Sequence, residues 1–349
     1  MTADEHARYA CQMVLPAFGE AAQTRLKAAR VLIVGMGGLG CPAAQYLVAA
    51  GVGRVTLADY DTVSASNLHR QVLYTPADVG LLKAQVAAQR LSAQNPHVQV
   101  RALTEKISPA NALAALAGHD LVLDCSDNFE TRYLLNDAAL LSGLPCVYGA
   151  IYQYEGQVAL WNAPQPDGSR SPHYRDLYPS VDAAQIPSCT EGGVLPALAG
   201  IIGCLQASEA LKYLAGIGDA QAGRLLVFDA LTLSLRGFRL GSHSRVAVTH
   251  LPQAAEVPLL TPAAWAASAP HAYCVVDVRS AHERATRPLE ALHLPLAEMA
   301  ARWAEIPTER PLLFCCASGR RSAQAVLMWK HLCPQVPAFS LENGLNALT

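Results

Sequence analysis

A glycine-rich turn near the start of this 349-residue chain constrains its fold more than any other feature. The turn occupies residues 35–40, after an apolar run at residues 31–34 and before helical spacing at residues 42–50. It reads GMGGLG, and the glycines are Gly35, Gly37, Gly38 and Gly40. Three of them match G-x-G-x-x-G, a pattern that brings backbone and a helix N-terminus close to an anion. A lone match is weak, so the surrounding segments decide what the turn binds.

Strand-like and helix-like patterns alternate after this turn and indicate the fold class. Apolar runs predict strands at residues 31–34, 55–58, 98–103 and 121–125. Helical spacing is found at residues 42–50, 83–93, 131–141 and 196–214. A strand-like region at residues 148–161 and a hairpin at residues 225–240 complete the pattern. This alternation predicts an α/β fold with a Rossmann-like, mostly parallel sheet and helices on both faces.

A second, smaller α/β unit is expected at the end of the chain, which is long for a single core. Strands are predicted at residues 274–277 and 311–315, followed by a helix at residues 322–332. The predicted organisation is an ATP-binding domain at residues 1–242, a linker at residues 243–256 and a second domain at residues 257–349.

The composition excludes several classes of protein. Hydrophobic residues make up 52% of the chain and charged residues 15%, which favours a buried core over disorder. A net charge of −2 predicts no general attraction to nucleic acid or to an anionic membrane. Ten scattered cysteines without a CxxC pair, and no recognisable secretory signal, predict a reducing, cytoplasmic setting. The apolar stretch at residues 194–214 contains Glu209 and Lys212, so we expect a buried helix there rather than a membrane span.

Polar residues after the second and fourth predicted strands favour a triphosphate over a dinucleotide. Asp59 ends the second strand, and the cations Arg70 and Lys83 follow it. Such cations neutralise charge as pyrophosphate departs, a need that dinucleotides lack. Asp127 and Asn128 follow the fourth strand, where Mg²⁺ would be held at the carboxyl edge of the sheet. The alternatives are surface cations unrelated to a ligand, and an NAD(P) site built on the same glycine pattern.

Residues 5–240 resemble the ThiF/MoeB/HesA-type adenylyltransferases of the ubiquitin-activating superfamily. The matching stretches are residues 35–40, 59–71, Lys83, residues 124–128 and residues 187–194. The resemblance implies that Asp59 binds ribose and that Asp127 binds Mg²⁺ through ATP. It implies phosphate contacts from Asn67, Arg70, Gln71 and Lys83, with Asp61 and Asn128 completing the nucleotide site. It also implies a homodimer whose substrate is the C-terminal Gly-Gly carboxylate of a small ubiquitin-like sulfur-carrier protein.

Two departures from this family concern a cation and a metal. The family usually has a second arginine in its opening segment, where this chain has Cys11, so either Arg8 or another cation substitutes or adenylation is weaker. The family also usually holds a structural zinc through two CxxC pairs, which are absent here. His173, Asp176 and His243 supply three ligands at most, and a zinc site needs about four. Zinc is therefore not expected.

A cysteine loop near the carboxyl terminus carries the second chemical signature. Cys316-Ala317-Ser318-Gly319-Arg320-Arg321 lies between a predicted strand and a predicted helix. Backbone N–H groups, the helix N-terminus and the two arginines are expected to lower the thiol pKa and to stabilise a thiolate or persulfide. Residues 257–349 resemble a rhodanese domain, which implies that Cys316 accepts a sulfane sulfur. Ala317 departs from the arginine often found there, and an inactive docking domain is the alternative.

These observations predict an ATP-dependent carrier-protein adenylyltransferase joined to a sulfurtransferase. We expect Arg70, Lys83 and Asp127 to serve adenylation and Cys316 to serve sulfur transfer. In the related family the cysteine at the position of Cys189 can form a covalent link with the carrier or relay sulfur, and a loop cysteine without a role is the alternative. A cysteine desulfurase or thiosulfate is the expected sulfur donor. The alternatives for the whole chain are an NAD(P)-dependent oxidoreductase and a carrier-binding scaffold with weakened catalysis.

Overall fold

The computed structural model of the chain describes residues 1–179, 193–251 and 257–348. The described residues up to 251 belong to one compact unit, and those from 257 onward belong to a second. Each unit has its own sheet. The α/β fold class with a large Rossmann-like sheet and a smaller α/β unit is confirmed.

Eight strands form the sheet of the first unit within the described residues. They are β1 (Arg30–Val34), β2 (Arg54–Ala58), β3 (Gln99–Leu103), β4 (Leu121–Asp124), β5 (Cys146–Tyr152), β6 (Glu155–Trp161), β7 (Arg224–Asp229) and β8 (Ser234–Arg239). Their order is β3-β2-β1-β4-β5-β6-β7-β8. The strands from β3 to β5 are parallel, and β6, β7 and β8 extend the sheet with antiparallel pairing.

Helices cover both faces of this sheet. They are α1 (Ala3–Met13), α2 (Gly19–Ala28), α3 (Gly40–Ala49), α4 (Lys83–Gln94), α5 (Ala112–Leu116), α6 (Phe129–Leu141), α7 (Tyr174–Leu177) and α8 (Pro196–Ala215). One hydrophobic cluster includes residues of α2, α3, α4 and α8, and the other includes residues of α5, α6 and α7. Alternate residues of β1 enter the two clusters, because successive side chains of a strand point to opposite faces.

The strand order creates a crevice at the carboxyl ends of β1 and β4. Strand β2, the next strand in the chain after β1, pairs on one side of β1, whereas β4 pairs on the other side. In register, Ile33 of β1 lies between Leu57 and Leu123. Such a reversal of strand order separates the loops that follow the two strands and leaves room for a ligand. The glycine turn and residues 125–128 lie on either side of this point.

The second unit is built on a five-stranded parallel sheet within the described residues. Its strands are β9 (Leu259–Leu260), β10 (Cys274–Asp277), β11 (Leu292–His293), β12 (Leu312–Cys315) and β13 (Ala338–Leu341). Its helices are α9 (Pro262–Ala266), α10 (Ala281–Thr286), α11 (Met299–Arg302) and α12 (Arg320–Leu332). The order β11-β10-β12-β13-β9 sets β12 at the centre. Cys316 therefore follows the central strand and precedes the longest described helix of this unit.

The long apolar segment near residue 200 is helix α8, which packs against α3, β5 and β6. Pro196 occupies the first turn, and Gly216 ends the helix in the left-handed conformation. Within the described residues, no helix combines the length and the apolar character needed to cross a membrane.

Candidate nucleotide and sulfur sites

The glycine turn has almost no room for side chains. Gly35 has φ +94°, and a Cβ atom on Gly40 would lie 1.9 Å from the Gly35 carbonyl oxygen. A Cβ atom on Gly38 would lie 2.9 Å from the Cβ atom of Ala199 in α8. Gly37 is less confined, with Nε2 of Gln71 3.4 Å from the position of its Cβ. The glycines therefore let α3 and α8 close tightly around the turn.

Asp59 fixes the turn from the end of β2. Its carboxylate accepts hydrogen bonds from the amide of Met36 at 2.7 Å and the amide of Asp61 at 2.8 Å. Burial raises the pKa of Asp59, and the nearby Lys83 ammonium opposes this rise. Each carboxylate oxygen of Asp59 thus accepts one backbone amide. The carboxylate lies beside the turn, where a ribose would bind.

Lys83 begins helix α4 as a nearly buried cation. Its side chain is 6% exposed, and Nζ lies 3.4 Å from Oδ2 of Asp61. The Lys83 amide also donates to the Asp61 carbonyl at 3.0 Å. The hydroxyl of Tyr74 bridges the Met36 and Lys83 carbonyl oxygens at 2.8 Å and 3.3 Å. A buried cation is thus tied to the glycine turn, which does not fit the alternative of an unrelated surface charge.

Arg70 and Gln71 lie near the glycine turn, in the segment that follows a short 3₁₀ helix, Ala65–Asn67. The Arg70 guanidinium donates to Oδ1 of Asn67 at 3.0 Å, and Arg70 lines a cavity together with Gly38. Gln71 is buried, and its Oε1 has no hydrogen-bond partner among the described residues. Rotation of this amide by 180° would place its NH₂ group at the unpartnered position, where it could donate to an acceptor.

Asp127 and Asn128 lie beyond β4, where both side chains are exposed. Asn128 caps helix α6 by accepting the amide of Thr131 at 2.9 Å, and its amide group lies 3.5 Å from Oδ1 of Asp127. Mg²⁺ bound to nucleotides keeps several waters and often needs only one or two carboxylates. An exposed Asp127 fits that requirement.

Sequence reasoning missed the polar support beneath Asp127. Buried Asp124 accepts the amide and the hydroxyl of Ser126 at 3.0 Å and 2.6 Å. Arg132, one turn into α6, donates to the Ser126 carbonyl at 3.1 Å and contacts the rings of Phe129 and Tyr148. Burial raises the pKa of Asp124, opposed by Arg132. Arg132 carries no sequence signal beyond its spacing of four residues from Asn128, so its contact was not predictable.

The residues present fit a nucleoside triphosphate. The turn leads into the N-terminus of the ten-residue helix α3. Arg70 lines a cavity with Gly38 of the turn, and Lys83 is linked to the turn through Asp61 and Asp59. Asp59 directly follows β2, and the exposed Asp127 lies three residues beyond the end of β4.

The amino-terminal residues predicted to replace a missing arginine lie on α1. Arg8 is exposed and donates to the Gln94 carbonyl at 3.1 Å, at the C-terminal end of α4, where a cation is favoured. Cys11 is exposed on the same helix. The role of Arg8 in adenylation stays a prediction.

Two of the three residues weighed as zinc ligands, His173 and Asp176, belong to a hydrogen-bonded clasp, which we define as His173, Asp176, Arg245 and Val246. His173 Nε2 donates to the Val246 carbonyl at 2.9 Å, and Nδ1 accepts the amide of Arg175 at 3.3 Å. Asp176 accepts the amide of Arg245 at 2.7 Å. Burial alone would raise the pKa of Asp176, but hydrogen bonds from the His173 and Arg245 amides lower it.

The clasp leaves His173 without a nitrogen for a metal, because both ring nitrogens already have backbone partners. His243 instead contacts Ser169 at 2.7 Å. Within residues 1–179, 193–251 and 257–348, no three histidine, cysteine or acidic side chains are grouped as a metal site would require.

The cysteine loop surrounds the sulfur of Cys316 with donors. The amides of Gly319 and Ser322 point at Sγ from 3.1 Å and 3.4 Å, and the Ser322 hydroxyl lies 3.4 Å away. Ser340 in β13 donates to the Ser322 hydroxyl at 2.8 Å. Gly319 has φ +86°, which aims its amide into the loop. These contacts suit a sulfur anion.

One arginine of the loop pairs with a carboxylate from α10. Arg321, predicted to stabilise the sulfur, donates to both carboxylate oxygens of Glu283 at 2.7 Å and 2.6 Å. Arg320, the other arginine predicted to stabilise the sulfur, begins α12, and its side chain lies outside the described part of the structure. The pairing of Glu283 with Arg321 gave no sequence signal, because the two residues lie 38 positions apart.

Gly344 closes the loop from the other side. A Cβ atom at this position would lie 2.5 Å from both the Cys316 carbonyl oxygen and the Gly319 nitrogen. The following amide, that of Leu345, donates to the Cys316 carbonyl at 2.8 Å.

The predicted relay residue Cys189 lies outside the described residues.

A glycine turn at the switch point of a parallel sheet and a cysteine loop at a helix N-terminus define a nucleotide-binding α/β protein with a sulfur-handling unit. Comparison with family models identifies both parts. Residues 9–248 match the ThiF family, and residues 262–349 match the rhodanese-like domain. The chain belongs to the ThiF family and carries a rhodanese-like domain.

Individual relatives agree with this assignment. The chain is 52% identical over 248 residues to a sulfur carrier protein adenylyltransferase of Thermus thermophilus, covering 71% of this chain and 92% of that protein. It is 39% identical over 353 residues to a probable adenylyltransferase/sulfurtransferase MoeZ of Mycobacterium tuberculosis, covering 93% of this chain and 88% of that protein. Among solved structures, E. coli MccB with ATP shares the fold with a TM-score of 0.56 and 19% identity, covering 64% of this chain and 67% of that one.

Proposed function

We propose that the chain is an ATP-dependent adenylyltransferase for the C-terminal carboxylate of a ubiquitin-like sulfur-carrier protein, and also a sulfurtransferase. The strongest support is the convergence of the glycine turn, Asp59, Lys83 and Asp127 on one edge of the parallel sheet. Membership of the ThiF family, with relatives named for both activities, argues against the oxidoreductase alternative.

In the first reaction, a carboxylate oxygen of the carrier attacks the α-phosphorus of ATP, and pyrophosphate leaves with the bonding electrons. Amides of the glycine turn and the cations Arg70 and Lys83 stabilise the charge that grows on the departing phosphates. We assign to Asp59 the role of accepting a ribose hydroxyl. Mg²⁺ held by Asp127 would supply further charge neutralisation. The product is an acyl-adenylate, whose carbonyl carbon is activated towards a nucleophile.

In the second reaction, Cys316 carries a sulfane sulfur as a persulfide. Its terminal sulfur attacks the acyl carbon, AMP leaves, and an acyl disulfide joins the carrier to Cys316. A thiolate then attacks the Cys316 sulfur, which releases the carrier thiocarboxylate and forms a disulfide with Cys316. We assign that thiolate to Cys189. A dithiol reductant restores both cysteines.

The proposal extends to the oligomeric state, the sulfur donor and the domain boundaries. We propose a cytoplasmic homodimer and a sulfur donor that is either a cysteine desulfurase or thiosulfate. The adenylyltransferase domain comprises residues 1–242, and the rhodanese-like domain comprises residues 257–349. A linker of residues 243–256 joins them, and its residues 245 and 246 take part in the clasp.

ATP–pyrophosphate exchange tests the proposed adenylation. The purified chain is expected to exchange labelled pyrophosphate into ATP only when a carrier ending in Gly-Gly is present. A carrier lacking its last glycine is the control and is expected to give background exchange. Carrier binding without exchange would instead favour the scaffold alternative, and hydride transfer with NAD(P)H would favour the oxidoreductase.

We further propose that the clasp, rather than zinc, joins residues 173–176 to residues 245–246. Asp176→Asn is expected to lower the free energy of unfolding by about 1–2 kcal/mol, because charge-assisted bonds to two amides are weakened. Asp167→Asn removes an exposed carboxylate of the same unit and is expected to change stability little. Thermal unfolding with and without a chelator measures both effects. Stoichiometric zinc, or a chelator-induced fall in Tm, would contradict the proposal.

A further inference from the structure

A carboxylate outside the cysteine loop neutralises the last arginine of that loop. Glu283 in α10 receives two hydrogen bonds from the guanidinium of Arg321, at 2.6 Å and 2.7 Å. The side chains are 36% and 35% exposed, so the pair stands at the surface beside the loop. Arg321 lies between Gly319 and Ser322, whose amides face the Cys316 sulfur.

Glu283 is held in this position independently of Arg321. It forms a capping box with Ser280, whose amide and hydroxyl donate to Oε2 of Glu283 at 3.0 Å and 2.9 Å. Hydrogen bonding from Arg321, together with Ser280, lowers the pKa of Glu283 to about 2. The carboxylate is therefore charged at every pH at which the protein would be assayed.

Two other arginines whose side chains the structure describes near this end of the sheet also have hydrogen-bond partners. Arg279 is buried against Asp277, with two hydrogen bonds at 2.9 Å and 2.7 Å. Arg284 donates to the Ala291 carbonyl at 3.1 Å. Neutralisation of Arg321 by Glu283 thus weakens the positive field that would draw a small anion to the loop.

We propose that Glu283 is a specificity-determining residue that disfavours the thiosulfate dianion as sulfur donor relative to a singly charged thiol persulfide. This inference rests on the proposed sulfurtransferase function of Cys316. With thiosulfate, the Cys316 thiolate attacks the sulfane sulfur and the sulfur–sulfur bond of the donor breaks. Sulfite leaves with the bonding electrons, and Cys316 becomes a persulfide. Two negative charges approach the loop in this step, so the charge at Arg321 affects it more than it affects a monoanionic donor.

Glu283→Gln tests the proposal, because glutamine retains the acceptor of the capping box while removing the charge. Loading of Cys316 is measured by mass spectrometry in single turnovers, with thiosulfate or L-cysteine persulfide as donor. We expect the variant to raise the second-order rate with thiosulfate about tenfold at low salt, and much less at high salt. With cysteine persulfide we expect a change of less than about threefold.

Two further variants separate local charge from other effects. Glu305→Gln breaks a similar exposed, bidentate pair with Arg302 in the same unit and changes net charge equally, so it is expected to leave loading unchanged. Arg321→Gln combined with Glu283→Gln is expected to abolish the gain. An unchanged thiosulfate rate in Glu283→Gln, or an equal gain in Glu305→Gln, would overturn the proposal. If Cys316 gains no sulfur in any variant or with either donor, the proposed sulfurtransferase function itself fails.

Discussion

Asp127→Asn is expected to reduce carrier-dependent ATP–pyrophosphate exchange about 100-fold or more. The substitution preserves shape but removes the carboxylate that would hold Mg²⁺ against the phosphates. Because Arg132 and Asp124 support the Ser126–Asp127 turn independently, the variant is expected to fold with little change in Tm. Exchange measured across a range of Mg²⁺ concentrations should show that high Mg²⁺ recovers part of the loss.

Glu130→Gln is the matched control for this variant. Glu130 lies three residues further along at the start of α6, is 78% exposed and lies 3.7 Å from Lys106. Removing its charge changes the local field without touching the proposed metal ligand, so exchange should stay within about twofold. Full exchange activity in Asp127→Asn would show that Asp127 does not hold the metal.

Cys316→Ala is expected to abolish both persulfide formation and thiocarboxylate production while pyrophosphate exchange continues at the wild-type rate. Alanine leaves no sulfur atom for the amides of the loop to hold, so no persulfide forms. The adenylation residues belong to the other unit and are unchanged. Mass spectrometry after incubation with a sulfane donor would locate the added sulfur. Pyrophosphate exchange, measured on the same preparation, shows that the first unit is intact.

Cys315→Ala provides the control for this experiment. Cys315 adjoins Cys316 but packs into a different hydrophobic cluster, and burial raises the pKa of its thiol to about 12. A protonated, enclosed thiol is a poor nucleophile, so Cys316 should still gain sulfur in this variant. Normal thiocarboxylate production by Cys316→Ala would contradict the proposed transfer. If Cys189 gained sulfur before Cys316, the proposed order of sulfur transfer would be contradicted.

The sequence predicted those parts of the fold whose pattern is local. Strands β1, β2 and β4 are short and mostly apolar because helices cover both of their faces, and β1 and β2 were predicted to within one residue. The amino-terminal helices α1 and α2 were not predicted. Strands β9 and β11 have two residues each, which is too short to give a periodic signal.

The candidate sites were predictable where the chemistry lies next to a strand end. The glycine turn, Asp59 and Cys316 each follow a strand directly, so chain order alone brings them to the carboxyl edge of a sheet. Long-range partners gave no such signal. The pairing of Arg321 with Glu283 and of His173 with Val246 depends on how distant segments pack, and a single sequence does not reveal which charge meets which.

The sulfur chemistry also depends on Gly344, a residue that has no functional group. Every other amino acid would bring a Cβ atom to within 2.5 Å of the backbone that shapes the Cys316 loop, at a φ of +66° that already favours glycine. A survey of all substitutions scored by persulfide formation should therefore find position 344 as intolerant as position 316. Related domains can differ in the side chains that select the sulfur donor, but only glycine fits the backbone at position 344.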